Sequence, residues 1–337
     1  MTSSTFNLRH QTILANPKFL SCLFLCVAGL ALAACGPAAA SPAVSQPLVA
    51  GTASPTPFEF ASAEPAATET PEPTLEPTPD YTPTPDIRPL PVAWRTWPVV
   101  PTLSPWLVEV YESGLAGGND PHRFTKAGDC QNIPEAFLGF YDIQGRYYFA
   151  SGEEYLQETV DFYAGSWGHD GLAVDGGYNF PAIFTPLRAD PQLCGPNENP
   201  LACEIRTYQP AFIIISMEFV YEGRTSQNYE EYLRQAVDYA LEQNVIPILM
   251  TKADNVEGNH AINAATAQVA YDYDIPLINW WRAAQPLEGH GIDWARDAGG
   301  QPEGFHITAE AWTARSYWAL VTLDAIRHGL EEQRAGS

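Results

Sequence analysis

The sequence predicts an α/β domain, a three-layer α/β/α sandwich around a parallel sheet of flavodoxin-like order. Three observations predict it. Strand-like and helical segments alternate through the second half of the chain. Ala211-Phe212-Ile213-Ile214-Ile215 is a near-continuous apolar run, the pattern of a strand buried on both faces. The segment after it, Asn228 to Gln243, carries a helical stripe of Tyr232, Leu233, Ala236, Val237, Ala240 and Leu241. Strands that alternate with helices need a parallel sheet covered on both faces.

The elements follow in order. Ser104-Pro105 reads as an N-cap followed by Pro at the first helical position. That helix runs to about Ala116 and stops at Gly117-Gly118. His122 to Ala127 is a short strand feeding Gly128-Asp129-Cys130. A helix rich in aromatic residues covers about Glu153 to Phe162, and Gly171 to Val174 is a second strand that closes at Asp175-Gly176-Gly177. Ala211 to Ile215 is the third strand. Val245 to Met250 and Pro276 to Asn279 are further strands, separated by a helix over His260 to Tyr271. Thr308 opens a long last helix reaching about His328. Loops at the carboxyl ends of the strands form the site in such sheets.

The domain expected here is 104–330, followed by a tail, 331–337. Two other segments precede it. Residues 1–35 read as an export signal: Arg9 and Lys18 give a basic n-region, and Phe19 to Ala31 is an apolar run short for a membrane span. Leu32-Ala33-Ala34-Cys35-Gly36 resembles a bacterial lipobox, which implies a lipid on Cys35 and a membrane anchor. Residues 36–103 read as an extended stalk, because sixteen of the 30 prolines lie between Gly36 and Pro101, interleaved with Thr, Ala, Ser and Glu.

The formal net charge of −23 over 337 residues argues against a nucleic-acid partner, which needs a basic face. The chain holds 6 cysteines. Cys22 and Cys26 lie in the signal and Cys35 at the lipid site. In an oxidising compartment, Cys194 and Cys203 flank a short loop and form the natural disulfide, leaving Cys130 as a thiol. Pairings of Cys130 with either of them stay open.

Two blocks carry the chemistry. Gly128-Asp129-Cys130 follows the first strand, and Glu303-Gly304-Phe305-His306 precedes the last helix. Together they resemble the nucleophile and base blocks of SGNH (GDSL-type) hydrolases, over roughly Ser104 to Gly329. Cys stands where that family has Ser, and Glu303 where it has Asp. The resemblance implies ester hydrolysis through an acyl-enzyme, with Cys130 as nucleophile, His306 as base and Glu303 orienting the imidazole. It implies oxyanion donors at the Cys130 amide and at Gly177. The third block departs from the family: Ser216-Met217-Glu218-Phe219 puts Glu218 where an Asn donor belongs. Lys252 and Asn255, after the fourth strand, are substitute donors, and a protonated Glu218 is another. Trp294 is the expected ligand contact, since an indole face suits a sugar ring.

The sequence shows no metal-ligand spacing, phosphate loop or dinucleotide fingerprint, and no cofactor is expected. Ala164-Gly165-Ser166-Trp167-Gly168 lacks the glycine spacing of a nucleophile elbow. The expected ligand is a small acyl ester or a saccharide, with acyl esters on cell-envelope or environmental polysaccharides as the plausible substrates. The rival reading is an inactive carbohydrate- or envelope-binding module on the same scaffold.

Overall fold

The structure is a computed structural model that describes residues 86–217, 225–299 and 304–336. All of them belong to one compact unit, Tyr81–Ser337. The expected signal, Cys35, most of the expected stalk, Glu218 and Glu303 lie outside the described residues.

Four parallel strands form the sheet: β1 (Asp120–Gly128), β2 (Pro210–Ser216), β3 (Ile246–Met250) and β4 (Leu277–Ile278). They lie in the order β1-β2-β3-β4, with all three pairings parallel. All seven residues of β2 are buried, as its apolar run predicts. Gly171 to Val174, expected as a strand, supplies a single parallel bridge, Val174 to Gly128, at the open edge of β1. The reason is local: the Val174 amide closes a turn onto the Gly171 carbonyl at 3.2 Å and is not available to extend a ladder.

Nine α-helices are found among the described residues: α1 (Leu107–Gly117), α2 (Leu156–Phe162), α3 (Phe180–Ile183), α4 (Pro200–Tyr208), α5 (Ser226–Glu242), α6 (Ala261–Tyr273), α7 (Trp280–Ala284), α8 (Trp294–Asp297) and α9 (Ala309–Gly336). They form two groups. α1, α2 and α7 pack against α9, while α3 joins α4 to α5 and α5 packs against α6. With the sheet between them, these are the three expected layers.

Capping chemistry sets several boundaries. The Thr225 hydroxyl accepts from the Asn228 amide at 3.2 Å and starts α5, whose buried stripe is Tyr229, Leu233, Ala236, Val237 and Ala240. Gly118 ends α1 in the left-handed region, φ 101°, a conformation that favours glycine.

The domain edges differ from expectation. Ordered structure precedes Ser104: Pro91–Thr96 form a 3-10 turn, and Trp94 is only 2% exposed. The Asn279 side chain donates to the Trp94 carbonyl at 2.8 Å, so this turn belongs to the core. Ser104 does not cap α1. Its hydroxyl donates to the Asp274 carboxylate, and α1 starts at Leu107. At the other end, the expected tail is helical, because α9 continues to Gly336. There Arg334 pairs with Glu112 of α1 and stacks over Tyr111 with 5.7 Å to the ring centre.

Cys194 and Cys203 form the expected disulfide, and Cys130 stays outside it. Among the described residues no helix is long and apolar enough to cross a membrane.

Candidate active site

In a parallel sheet the carboxyl ends of the strands share one edge. The end of β1 is built around Gly128. A Cβ there would collide with the Asn132 side chain and the Ser216 carbonyl, so only glycine lets the two strand ends approach this closely. Asp129 follows, buried, and its carboxylate accepts from the Gln131 amide at 3.0 Å. That bond starts a short 3-10 turn, Cys130–Asn132. Cys130 is half-buried within it.

A buried arginine fixes this turn to the rest of the edge. Arg315 of α9 is 0% exposed. It donates to the Gln131 carbonyl at 2.6 Å, to Asn132 Oδ1 at 2.9 Å and to the Ser216 hydroxyl at 2.8 Å. Asn132 in turn donates to the Ser216 carbonyl at 2.7 Å. The guanidinium also lies over the Phe137 ring, 4.1 Å from its centre, an arrangement of the cation–π kind. A delocalised guanidinium suits such a site, because it forks several donors toward fixed acceptors.

His306 reaches the same edge from the other end of the domain. The Gln131 side-chain amide donates to the Phe305 carbonyl at 3.0 Å. The residue after Cys130 is therefore bonded to the residue before His306, and the two sequence blocks meet. An antiparallel bridge, Ile292 to Ile307, and the bond from the Asp293 amide to the His306 carbonyl at 2.8 Å hold the strand-like arm that carries His306. The Thr308 hydroxyl then caps α9 by accepting from the Ala311 amide at 3.1 Å.

The carboxylate on His306 is Asp297, the last residue of α8. Its Oδ1 lies 2.6 Å from His306 Nδ1, and its Oδ2 accepts from the His306 amide at 2.7 Å. Burial works to raise the Asp297 carboxyl. The hydrogen bonds from the His306 ring and amide outweigh it, with the ring's charge and the Phe305 amide, and leave the carboxyl below its ordinary range. An ionised carboxylate only accepts, so Nδ1 holds the proton and Nε2 is the nitrogen able to take one.

The other expected residues fare differently. Lys252 is engaged by carboxylates of its own loop. It is buried and forms ion pairs at 2.5 Å with both Asp254 and Glu257, as a buried ammonium must. Burial works to lower its pKa, and the two carboxylates reverse that and raise it. Asn255 is exposed, and its side-chain oxygen accepts from the His260 amide at 2.7 Å, ahead of α6. Gly177 is exposed, with φ 81°, three residues beyond the Val174 bridge to Gly128. Trp294 opens α8 and is 56% exposed. Its ring covers Gly304, where a Cβ would strike the indole. It therefore packs on the glycine two residues before His306, while Trp280 is buried in the core.

Asp297, Gln131, Asn132 and Arg315 were not legible as site residues. Asp297 lies nine positions before His306, outside the three-residue spacing that the resemblance supplies. Arg315 had one available signal: it lies in register with the buried Ala311 and Ala319 of α9, where a charge needs a buried purpose.

No family model and no curated relative matches the chain. Among solved structures, a GDSL-like lipase from Bacteroides thetaiotaomicron is similar, with 14% identity and a TM-score of 0.39. The alignment covers 67% of this chain and 97% of that one.

Proposed function

We propose that the domain is an SGNH-type hydrolase that cleaves small acyl esters through Cys130 and His306. The observation that carries this reading is the Asp297–His306 pair, with Nδ1 and carboxylate 2.6 Å apart, joined to the Cys130 turn by the Gln131–Phe305 bond. The thiolate of Cys130 attacks the ester carbonyl, a C–S bond forms and the alkoxide departs with a proton from His306 Nε2. Water then attacks the thioester. His306 takes its proton, the acid leaves and the thiol is restored. Asp297 holds the tautomer and supports the imidazolium, the role that the sequence assigned to Glu303. The amides of Cys130 and Gly177 are the oxyanion donors in this reading.

The proposal extends to the setting. A lipid on Cys35 anchors the chain outside the cytoplasm, and the disulfide fits an oxidising compartment. Trp294, 56% exposed and packed on Gly304, favours a saccharide ester, because an exposed indole offers a face to a sugar ring. The test is hydrolysis of p-nitrophenyl acetate by the full chain. Cys130→Ala should lower the rate at least about 100-fold. Equal rates would remove the enzyme and leave the binding module.

A further inference from the structure

We propose that Glu204 of α4 is a positioning residue for the ester hydrolysis proposed above, a role that rests on that reading. Glu204 fixes residues 169–177 so that the Gly177 amide meets the oxyanion formed at Cys130.

Glu204 is a carboxylate only 1% exposed. A charge taken out of water needs donors in place of its hydration, and three groups supply them. The Leu172 amide donates to Oε2 at 2.7 Å. His169 Nε2 lies 2.8 Å from Oε1, and the Thr125 hydroxyl of β1 donates to the same oxygen. Burial works to raise the Glu204 carboxyl. The bond and charge of His169, with the Thr125 and Leu172 donors, outweigh it and leave the group below its ordinary range. Glu204 is therefore an ionised acceptor, and His169 Nε2 carries a proton toward it. The His169 ring also stacks on Tyr208 of α4, with centres 3.6 Å apart and planes 4° from parallel. Beside Glu204 in α4, Cys203 is bonded to Cys194, so the helix that carries the carboxylate is itself tethered.

The segment that Glu204 holds is bonded to the strand end before the nucleophile turn. The Gly128 amide donates to the Ala173 carbonyl at 3.1 Å, and Val174 bridges Gly128. Gly128 lies two residues before Cys130. The approach to β1 is close: a Cβ on Gly171 would lie 3.1 Å from the Thr125 hydroxyl and 3.3 Å from the Glu204 carboxylate. A further turn follows, closed by the Tyr178 amide on the Asp175 carbonyl at 3.2 Å, and Gly177 sits in it with φ 81°. Asp175, Gly176 and Gly177 are exposed. Their place depends on the two ends of the turn, Val174 on one side and the buried Tyr178 on the other. Glu204 fixes the first of these ends. An oxyanion donor acts by being in position before the charge develops, so an anchor of this kind bears on rate.

The test compares two reactions of Cys130 in the full chain. Hydrolysis of p-nitrophenyl acetate passes through an oxyanion. Alkylation by iodoacetamide is a displacement at a saturated carbon and forms none. Glu204→Ala should lower kcat at least about tenfold with KM within about twofold, as for a donor used only in the transition state. Alkylation of Cys130, read by peptide mass spectrometry, should stay within about twofold of the wild type. Glu204→Gln should stay within about threefold in kcat, because its side-chain oxygen still accepts from Leu172. Gly171→Ala, whose methyl pushes the segment off Thr125, should repeat the pattern of Glu204→Ala and carries the test where that variant does not fold. Full kcat in Glu204→Ala or Gly171→Ala, or alkylation falling in step with kcat, would overturn the positioning role while Cys130→Ala is inactive. Full activity of Cys130→Ala would instead overturn the hydrolase reading and this role with it.

Discussion

The side-chain amide of Gln131 donates a buried hydrogen bond of 3.0 Å to the backbone carbonyl of Phe305. Residues 174 positions apart in sequence are thereby fixed beside one another, and each adjoins a residue of the candidate catalytic pair. The bond ties the turn after β1 that carries Cys130 to the segment before α9 that carries His306. It also shows why Arg315 matters, since that side chain holds the carbonyl of the same Gln131.

Asp297→Asn should lower kcat for ester hydrolysis by about 10²- to 10⁴-fold, because it removes the carboxylate that fixes the His306 tautomer. Glu303→Gln should change kcat less than about threefold on the same reasoning. Steady-state kinetics of the two variants, with circular dichroism to verify folding, separates the residues. A larger loss in Glu303→Gln would return the orienting role to the position that the sequence suggested.

Arg315→Met should lower the unfolding free energy by about 3–5 kcal/mol, because three buried acceptors lose their donor. Urea unfolding measures this. A loss below about 1 kcal/mol would mean that the turn carrying Cys130 does not depend on the guanidinium.

Lys126 gives a pH test with a defined sign. The side chain is 1% exposed and has one long bond, 3.4 Å, to the Phe137 carbonyl. Burial, then the charge of Arg315, pushes its ammonium down to about 8. The unfolded value is about 10.4, so between the two the unfolded state binds more protons and stability rises with pH. Lys126→Met should therefore stabilise the domain by about 3 kcal/mol at neutral pH. The gain should fade as pH rises from about 8 to 10.4. Denaturant midpoints measured from pH 6 to pH 10.5 check it, and a pH-independent difference would contradict it.

Glu218→Asn should raise kcat, since one oxyanion donor contributes about 10² to 10³ in rate and a carboxylate contributes none when ionised. A fall in kcat would instead assign Glu218 a binding or acidic role.

The alternation of strands and helices was legible because each signal is local. The run Ala211–Ile215 and the stripe of α5 specify their own burial. The Val174 segment was overread, because apolar composition does not reveal that a turn consumes its amide. Trp94 was absorbed into the Pro-rich stalk, since composition there is continuous while packing is not. The pairing of the Cys130 and His306 blocks was read from flanking residues, and the Gln131–Phe305 bond brings those blocks together. Asp297 was not read as a partner of His306, because their hydrogen bond depends on the long-range bridge between Ile292 and Ile307, which spacing does not reveal. The ion pairs of Lys252 were not legible for a related reason: Asp254 and Glu257 are local, but nothing in their spacing tells a buried ion pair from a solvated one.

The most direct test of the central claim is the rate at which iodoacetamide alkylates Cys130 at pH 7 in the full chain, with Cys22, Cys26 and Cys35 replaced by Ser, and in its His306→Ala and Asp297→Asn variants. An imidazole held beside the sulfur should make the thiol react at least about tenfold faster in the wild type than in His306→Ala, with Asp297→Asn between them. Identical rates in all three would mean that Cys130 and His306 do not act on one another.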